Sequence, residues 1–176
     1  MLFRSGVAVE VTFTGNPRIM IYPPTAEAKS IRVLVPEETA DLVYLTTAYG
    51  FSFDLPAGWQ DFQVLDEAWE GLSLVAGEEG KVVACGPLLQ IRHPAWTPEE
   101  PRQDIPIMVL TLDQWAKLEA MEFSVGAAPV GPKELGRNDR YVFALPARYN
   151  YAFPAGYEEV ETILAHNPLK PIATEK

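Results

Sequence analysis

Val7 to Thr14 alternates apolar and polar residues, with Val7, Val9, Val11 and Phe13 on one face. That is the period of a half-buried β-strand. Gly15-Asn16-Pro17 breaks the pattern. Arg18–Tyr22 reads as a second strand, stopped by Pro23-Pro24. Ile31–Val35 and Leu42–Thr46 read as strands on either side of an acidic turn at Pro36-Glu37-Glu38. Residues 1–47 are therefore expected to hold an N-terminal β meander.

From Tyr49 the pattern changes. Aromatics alternate through Phe51 and Phe53 toward Trp59, predicting a short strand and a turn. Phe62–Leu65 predicts another strand. Trp69–Val75 and Val82–Cys85 predict a hairpin across Gly77-Glu78-Glu79-Gly80, and Leu88–Arg92 the strand after it. His93–Gln103 holds three prolines and reads as an irregular loop in which Trp96 is anchored. Ile105–Leu110 predicts a strand whose Pro106 belongs at an edge or a strand start. Thr111 and Gln114 fit a capping box, and Leu112, Trp115, Leu118 and Met121 recur at helical spacing. Residues 122–139 read mostly as loop, and Tyr141–Leu145 as a strand ended by Pro146. The last element is a helix over Pro154–His166, with Pro154 at its first position. Its first half carries Glu158, Glu159 and Glu161, and its buried stripe Tyr157, Val160, Ile163 and Leu164. Asn167-Pro168 ends it, and 170–176 reads as a frayed tail. About nine strands that do not alternate with two helices predict an α+β fold, an antiparallel β-sheet flanked by helices.

Composition narrows the function. The chain has 176 residues, 48% of them apolar, which suits one compact domain. Its 14 basic and 24 acidic residues give a net charge of −10, which phosphate backbones and anionic lipid surfaces repel. No nucleic-acid partner is expected. No apolar run approaches the roughly 20 residues of a membrane span. The single cysteine, Cys85, excludes an intramolecular disulfide and is expected to be a buried small hydrophobe in an apolar run.

Catalytic signatures are missing. There is no GxGxxG, GxxxxGK[ST] or GxSxG. His93, His166 and Cys85 are the only imidazole or thiol ligands, so no metal site or cofactor is expected. His166 at a helix C-terminus has a structural explanation in the helix dipole. A Cys85–His93 nucleophile pair is conceivable but not implied by the spacing. The richest polar stretch lies in two loops. One carries Arg92, His93, Trp96, Arg102 and Asp104; the other carries Arg137 and Asn138, with Arg148, Tyr149 and Asn150 nearby in sequence. Several arginines beside Tyr, Trp and Asn can form a pocket for an anionic or polar ligand. Equally, they can pair with Glu99, Glu100, Asp104 and Asp139 and satisfy loop carbonyls. The candidate ligand-binding set is Arg92, His93, Trp96, Arg102, Arg137, Asn138, Arg148 and Tyr149. The aromatics around Tyr151 and Phe153 are either core or a partner surface.

Three stretches carry a family resemblance: Tyr49-Gly50-Phe51-Ser52-Phe53-Asp54-Leu55-Pro56 with Trp59, Ile91-Arg92-His93-Pro94-Ala95-Trp96, and Ile105-Pro106-Ile107-Met108-Val109. A fourth, and the longest, is Leu135-Gly136-Arg137-Asn138 running into Tyr141-Val142-Phe143-Ala144-Leu145-Pro146-Ala147-Arg148-Tyr149-Asn150. With these, the span from Tyr49 to Leu169 resembles a family of bacterial proteins, often exported or lipid-anchored, with a PsbP-like domain. The resemblance implies a PsbP-like α/β/α sandwich over residues 48–169 and an extracytoplasmic setting. It implies no activity. The expected function is therefore a non-enzymatic binding or accessory domain of the bacterial cell envelope. Its partner is a small polar or anionic ligand or a protein. The alternatives are a hydrolase using His93 as base with Asp104 or Glu99 as orienter, and a support domain of a larger protein. No signal peptide is visible in residues 1–15, which leaves a cytoplasmic location as the alternative compartment. Leu2-Phe3-Arg4-Ser5 is also what a common sequencing-adapter end encodes, so residues 1–5 are expected to be an assembly artefact and the gene to begin upstream.

Overall fold

The computed structural model describes residues 42–126 and 130–173, and the backbone of 8–13 and 28–34. The chain divides into two compact units, Met1–Ala40 and Asp41–Lys176. In the first, β1 (Ala8–Phe13) pairs antiparallel with β2 (Ala28–Leu34), Ala8 opposite Leu34. The expected strand Arg18–Tyr22 and residues 1–5 lie outside the described residues.

In the second unit β3 (Leu42–Thr46) pairs antiparallel with β4 (Phe51–Leu55) across a turn at Gly50. A short 3-10 turn (Ala57–Trp59) leads to β5 (Gln63–Ser73), β6 (Val82–Arg92) and β7 (Ile105–Thr111). Then come α1 (Leu112–Glu119), β8 (Phe123–Val125), β9 (Lys133–Arg137) and β10 (Tyr141–Leu145). α2 (Tyr157–Ala165) and β11 (Leu169–Pro171) complete the unit. Six strands form one sheet in the order β8-β5-β6-β7-β10-β9, and three form another in the order β11-β4-β3; every ladder is antiparallel.

Strand alternation then builds two cores. Ile105, Ile107 and Val109 of β7 and Phe143 of β10 point to one face of the large sheet, where they meet Phe51, Phe53, Trp59 and the α2 residues Val160 and Ile163. Met108, Leu110, Val142 and Ala144 point to the other, where Trp69, Trp115 and Phe123 cover them. The central strands are thus buried on both faces, between α1 on one side and the small sheet with α2 on the other. Each large apolar side chain so buried contributes about 1.5–3 kcal/mol.

The elements expected from the sequence are largely present, with instructive differences. The capping box is formed: Thr111 Oγ1 accepts from Gln114 N at 3.1 Å, and Gln114 Oε1 accepts from Thr111 N at 2.9 Å. Met121 does not extend the α1 stripe; it lies past the helix end with φ +59° and is exposed. The two short strands expected on each side of the hairpin are single eleven-residue strands. Pro87 does not break β6 because β7 pairs only with Leu88–Ile91, so one flank of β6 has no ladder at Pro87. β8 and β9 occupy a stretch expected to be loop, and β11 pairs with β4 where the chain was expected to fray. α2 starts at Tyr157, not Pro154, because Gln103 N donates to Ala155 O at 2.8 Å and holds the chain out of the helix.

The split of β6 from β7 leaves a carbonyl to satisfy. Leu88 lies opposite Met108, so the next register position sets Pro87, which has no N–H, against Val109. Trp69, directly across from Gly86 on β5, reaches over it and donates Nε1–H to Val109 O at 2.9 Å. Gly86 makes the crossing possible: a Cβ there would lie 2.7 Å from Trp69 Nε1. Cys85, expected to be buried, is exposed, because Val82–Gly86 runs beyond β7 and its neighbours Val82 and Val83 are also exposed. Eight residues of nearly extended chain at about 3.3 Å each separate Cys85 from His93 by about 26 Å. The conceivable nucleophile pair is therefore not formed.

Candidate functional site

The loop between β6 and β7 is held at both ends by charge. Arg92 closes β6, and its guanidinium forks onto Asp104, with Nε at 3.1 and 3.2 Å from the two carboxylate oxygens and Nη2 at 2.6 Å from one of them. The Asp104 hydrogen bond raises the Arg92 pKa. The same guanidinium lies 3.9 Å from the Trp96 ring centroid, which anchors the loop aromatic.

His93 packs edge-on against Trp59, with ring centroids 4.9 Å apart. Its Nδ1 lies 3.0 Å from the Ala95 N–H and accepts from it. That contact requires an unprotonated Nδ1 and places the ring proton on Nε2. Burial lowers the His93 pKa, the nearby Arg102 charge lowers it further, and Glu159 opposes them.

Glu159 of α2 joins this group from far along the chain. Trp59 Nε1 donates to its Oε1 and Arg102 Nη2 to its Oε2, each at 2.9 Å. Arg102 lies so close to the turn entering α2 that a Cβ on Gly156 would sit 2.9 Å from Nη2; Gly156 also has φ +82°. The positive φ favours glycine there, and a larger residue would also push on the Arg102 guanidinium.

Beside this network is a cavity of about 430 Å³ whose wall includes Arg102, Gln103, Asp104 and Tyr149. Gln103 is buried, and its Nε2 donates to Asp104 O at 2.7 Å and to Tyr149 O at 3.4 Å. Two carbonyl partners fix the amide orientation. Gln103 Oε1 and Arg102 Nε are buried without a hydrogen-bond partner among the described residues. Tyr149 packs on the larger core, and burial raises its pKa, with Glu161 adding to the effect.

The chain then turns outward. Arg148 has φ +57° and Phe153 φ +47°. Between them Tyr151 is 72% exposed, and Phe153 itself 66%. The Arg148 guanidinium lies 5.6 Å from the Tyr151 ring.

The candidate residues therefore divide. Arg92, His93, Trp96, Arg102, Arg148 and Tyr149 belong to the loops around Asp104, Gln103 and Glu159. Arg137 and Asn138 do not. Arg137 Nε donates to Glu134 at 2.8 Å on the surface, which lowers the Glu134 pKa. Asn138 donates Nδ2–H to the carbonyls of Tyr49 at 2.8 Å and Gly50 at 3.0 Å and accepts from Arg140 N and Tyr141 N, which closes the turn into β10. Trp59 and Glu159 are members that sequence reasoning missed. They stand 100 positions apart, and no local pattern links them.

The fold so described is an α+β domain, mostly antiparallel sheet with two helices. Among the described residues no helix is long and apolar enough to cross a membrane. No family model, curated protein or solved structure matches the chain.

Proposed function

We propose that the chain is a non-enzymatic binding or accessory domain of the bacterial cell envelope, built on a PsbP-like α/β/α sandwich, and that it docks a protein partner through the loop 148–153. The observation that carries this reading is strain combined with exposure. Left-handed backbone at two non-glycine residues costs of order 1 kcal/mol or more at each. Here it presents Tyr151 and Phe153 to solvent, where neither ring repays the cost by burial in the fold. A partner that covers the rings repays it.

Three further observations support a protein partner over a small anion. Arg92, Arg102 and Arg137 each hold a carboxylate of this chain already. Arg148 pairs with no carboxylate among the described residues and sits beside the exposed rings. Gln103 Oε1 and Arg102 Nε, though unpartnered among the described residues, are buried, so Arg102 Nε offers no accessible donor to an anion in the adjoining cavity. The envelope setting rests on the family resemblance alone, and the PsbP-like architecture on that resemblance and on the placing of helices on both faces of the large sheet. The hydrolase alternative has less support. The His93 lone pair is taken by the Ala95 N–H, and Asp104 is committed to Arg92.

A photo-crosslinking residue at Tyr151 or Phe153, introduced in living cells, tests the reading. The expected result is one discrete adduct from either position and none from Lys117 on α1. Arg148→Ala combined with Phe153→Ala should abolish an adduct formed from Tyr151. Identical adducts from Lys117, or none from the loop, would refute it.

A further inference from the structure

A second concavity, of about 670 Å³, lies between α2 and the end of β4. Glu159, Thr162, Ile163 and His166 form one wall, at the i, i+3, i+4, i+7 spacing of a single helix face. Asp54, Leu55 and Pro56 face them. We propose that this groove binds an apolar molecule bearing an alkyl- or arylammonium group. The surface is distinct from the 148–153 loop, and the inference does not depend on the docking reading.

Size, walls and charge all point the same way. The volume falls within the range of small-molecule sites, roughly 300–1,000 Å³. Leu55, Pro56, Ile163 and Pro168 supply apolar walls for the body of a ligand. The polar side chains at the groove are two carboxylates, the His166 ring and the Thr162 hydroxyl, whose proton is already donated to Glu158 O at 2.8 Å. Glu159 is held in place by Trp59 and Arg102 and has lone pairs to spare. Asp54 pairs with Lys170 through an exposed contact. Such surface pairs contribute little, so a ligand ammonium can take the place of Lys170. His166 Nδ1 lies 2.7 Å from Thr162 O, and a carbonyl only accepts, so Nδ1 donates and Nε2 of the neutral ring keeps its lone pair. Three acceptors with no unpaired donor call for a donor-rich, positive head. An anionic ligand would meet two carboxylates, each with one cation of this chain beside it (Arg102 and Lys170), on a chain of net charge −10.

Three probes of one shape separate the possibilities: phenethylamine, 2-phenylethanol and phenylacetate, titrated into the full chain by NMR. The amine should produce saturable shifts at Thr162, Ile163 and His166, about tenfold tighter than the alcohol. Phenylacetate should produce none. Thr162→Trp, an exposed helix position, should fill the groove and abolish binding while the melting temperature holds. Asp54→Asn should weaken amine binding about fivefold. The inference is overturned if the alcohol or the acid binds as well as the amine, if no probe saturates, or if Thr162→Trp still binds.

Discussion

Replacing the Trp69 indole by its sulfur isostere, 3-benzothienylalanine, removes one hydrogen atom's worth of chemistry and almost no volume. The indole N–H is the donor to Val109 O at a register position where Pro87 offers none. Val109 is 2% exposed, so water does not replace the lost partner. Leaving a buried carbonyl unsatisfied costs about 1–3 kcal/mol. Against a total stability of about 5–15 kcal/mol for a domain, that is a large fraction. Trp69→Phe should cost more, about 2–4 kcal/mol, because it adds a cavity beside Phe123 to the lost bond. Gly86→Ala attacks the same contact from the other side. Its Cβ would lie 2.7 Å from Trp69 Nε1, with the indole pinned between β6 and the core, and about 1–3 kcal/mol of overpacking is expected. Urea denaturation read by far-ultraviolet circular dichroism gives each value, with an unchanged m showing that the two end states are comparable. If the isostere stays within about 0.5 kcal/mol of the natural residue, the range of an ordinary surface change, the indole bond does not tie β5 to β7 across β6 and the reasoning is refuted.

Other expectations follow from single contacts. Asn138→Asp should destabilise by about 1–3 kcal/mol in the same assay, because it keeps the oxygen facing Arg140 and Tyr141 but loses the donors to Tyr49 and Gly50; an unchanged midpoint would contradict the turn-closing role. Thr111→Ala should cost about 1 kcal/mol through loss of the α1 cap, whereas Thr111→Ser should cost a fraction of that. His93→Asn keeps an acceptor for the Ala95 N–H and removes a titrating ring. The His93 pKa is lowered in the fold, so the unfolded chain takes up this proton first as pH falls. Its contribution is fully present above the ordinary histidine value of 6.5 and is lost as pH drops from there through the depressed folded value. Stability measured from pH 7.5 to 5 should therefore fall less steeply in His93→Asn than in the natural chain, and parallel curves would show that His93 is not held neutral. Tyr151→Ala with Phe153→Ala should leave the unfolding midpoint within about 0.5 kcal/mol of its starting value, as expected of rings that serve a partner and not the core.

What could be read in the sequence is what local physics decides. Thr111 and Gln114 lie three residues apart, and the bonds they exchange are available to any helix start, so the cap was visible in the chain alone. The alternation of Phe51, Phe53 and Leu55 is likewise a property of one strand, and it placed β4 on the core. Errors appear where a partner distant in sequence decides. Cys85 looks buried because Val82-Val83-Ala84-Cys85 is apolar, yet β7 stops pairing at Leu88, and beyond that point Cys85 O accepts from the Gln114 side chain at 2.9 Å in place of a strand. β11 looks like a tail because only β4, more than a hundred positions earlier in the chain, gives Leu169–Pro171 a ladder. The same rule governs the candidate site. The loop arginines were visible as residues, but their states depend on Asp104 for Arg92 and on Glu159, 57 positions away, for Arg102. Glu159 looks like a helix-dipole charge when only α2 is considered. Its contacts with Trp59 and Arg102 make it instead the joint between the β6–β7 loop and the helix, and the wall of a groove on the other side. A carboxylate that is committed to two donors and still borders an apolar groove is a fixed negative charge with a free face, and that combination is why the groove is better matched to an ammonium ligand than to the anion that the arginine count first suggested.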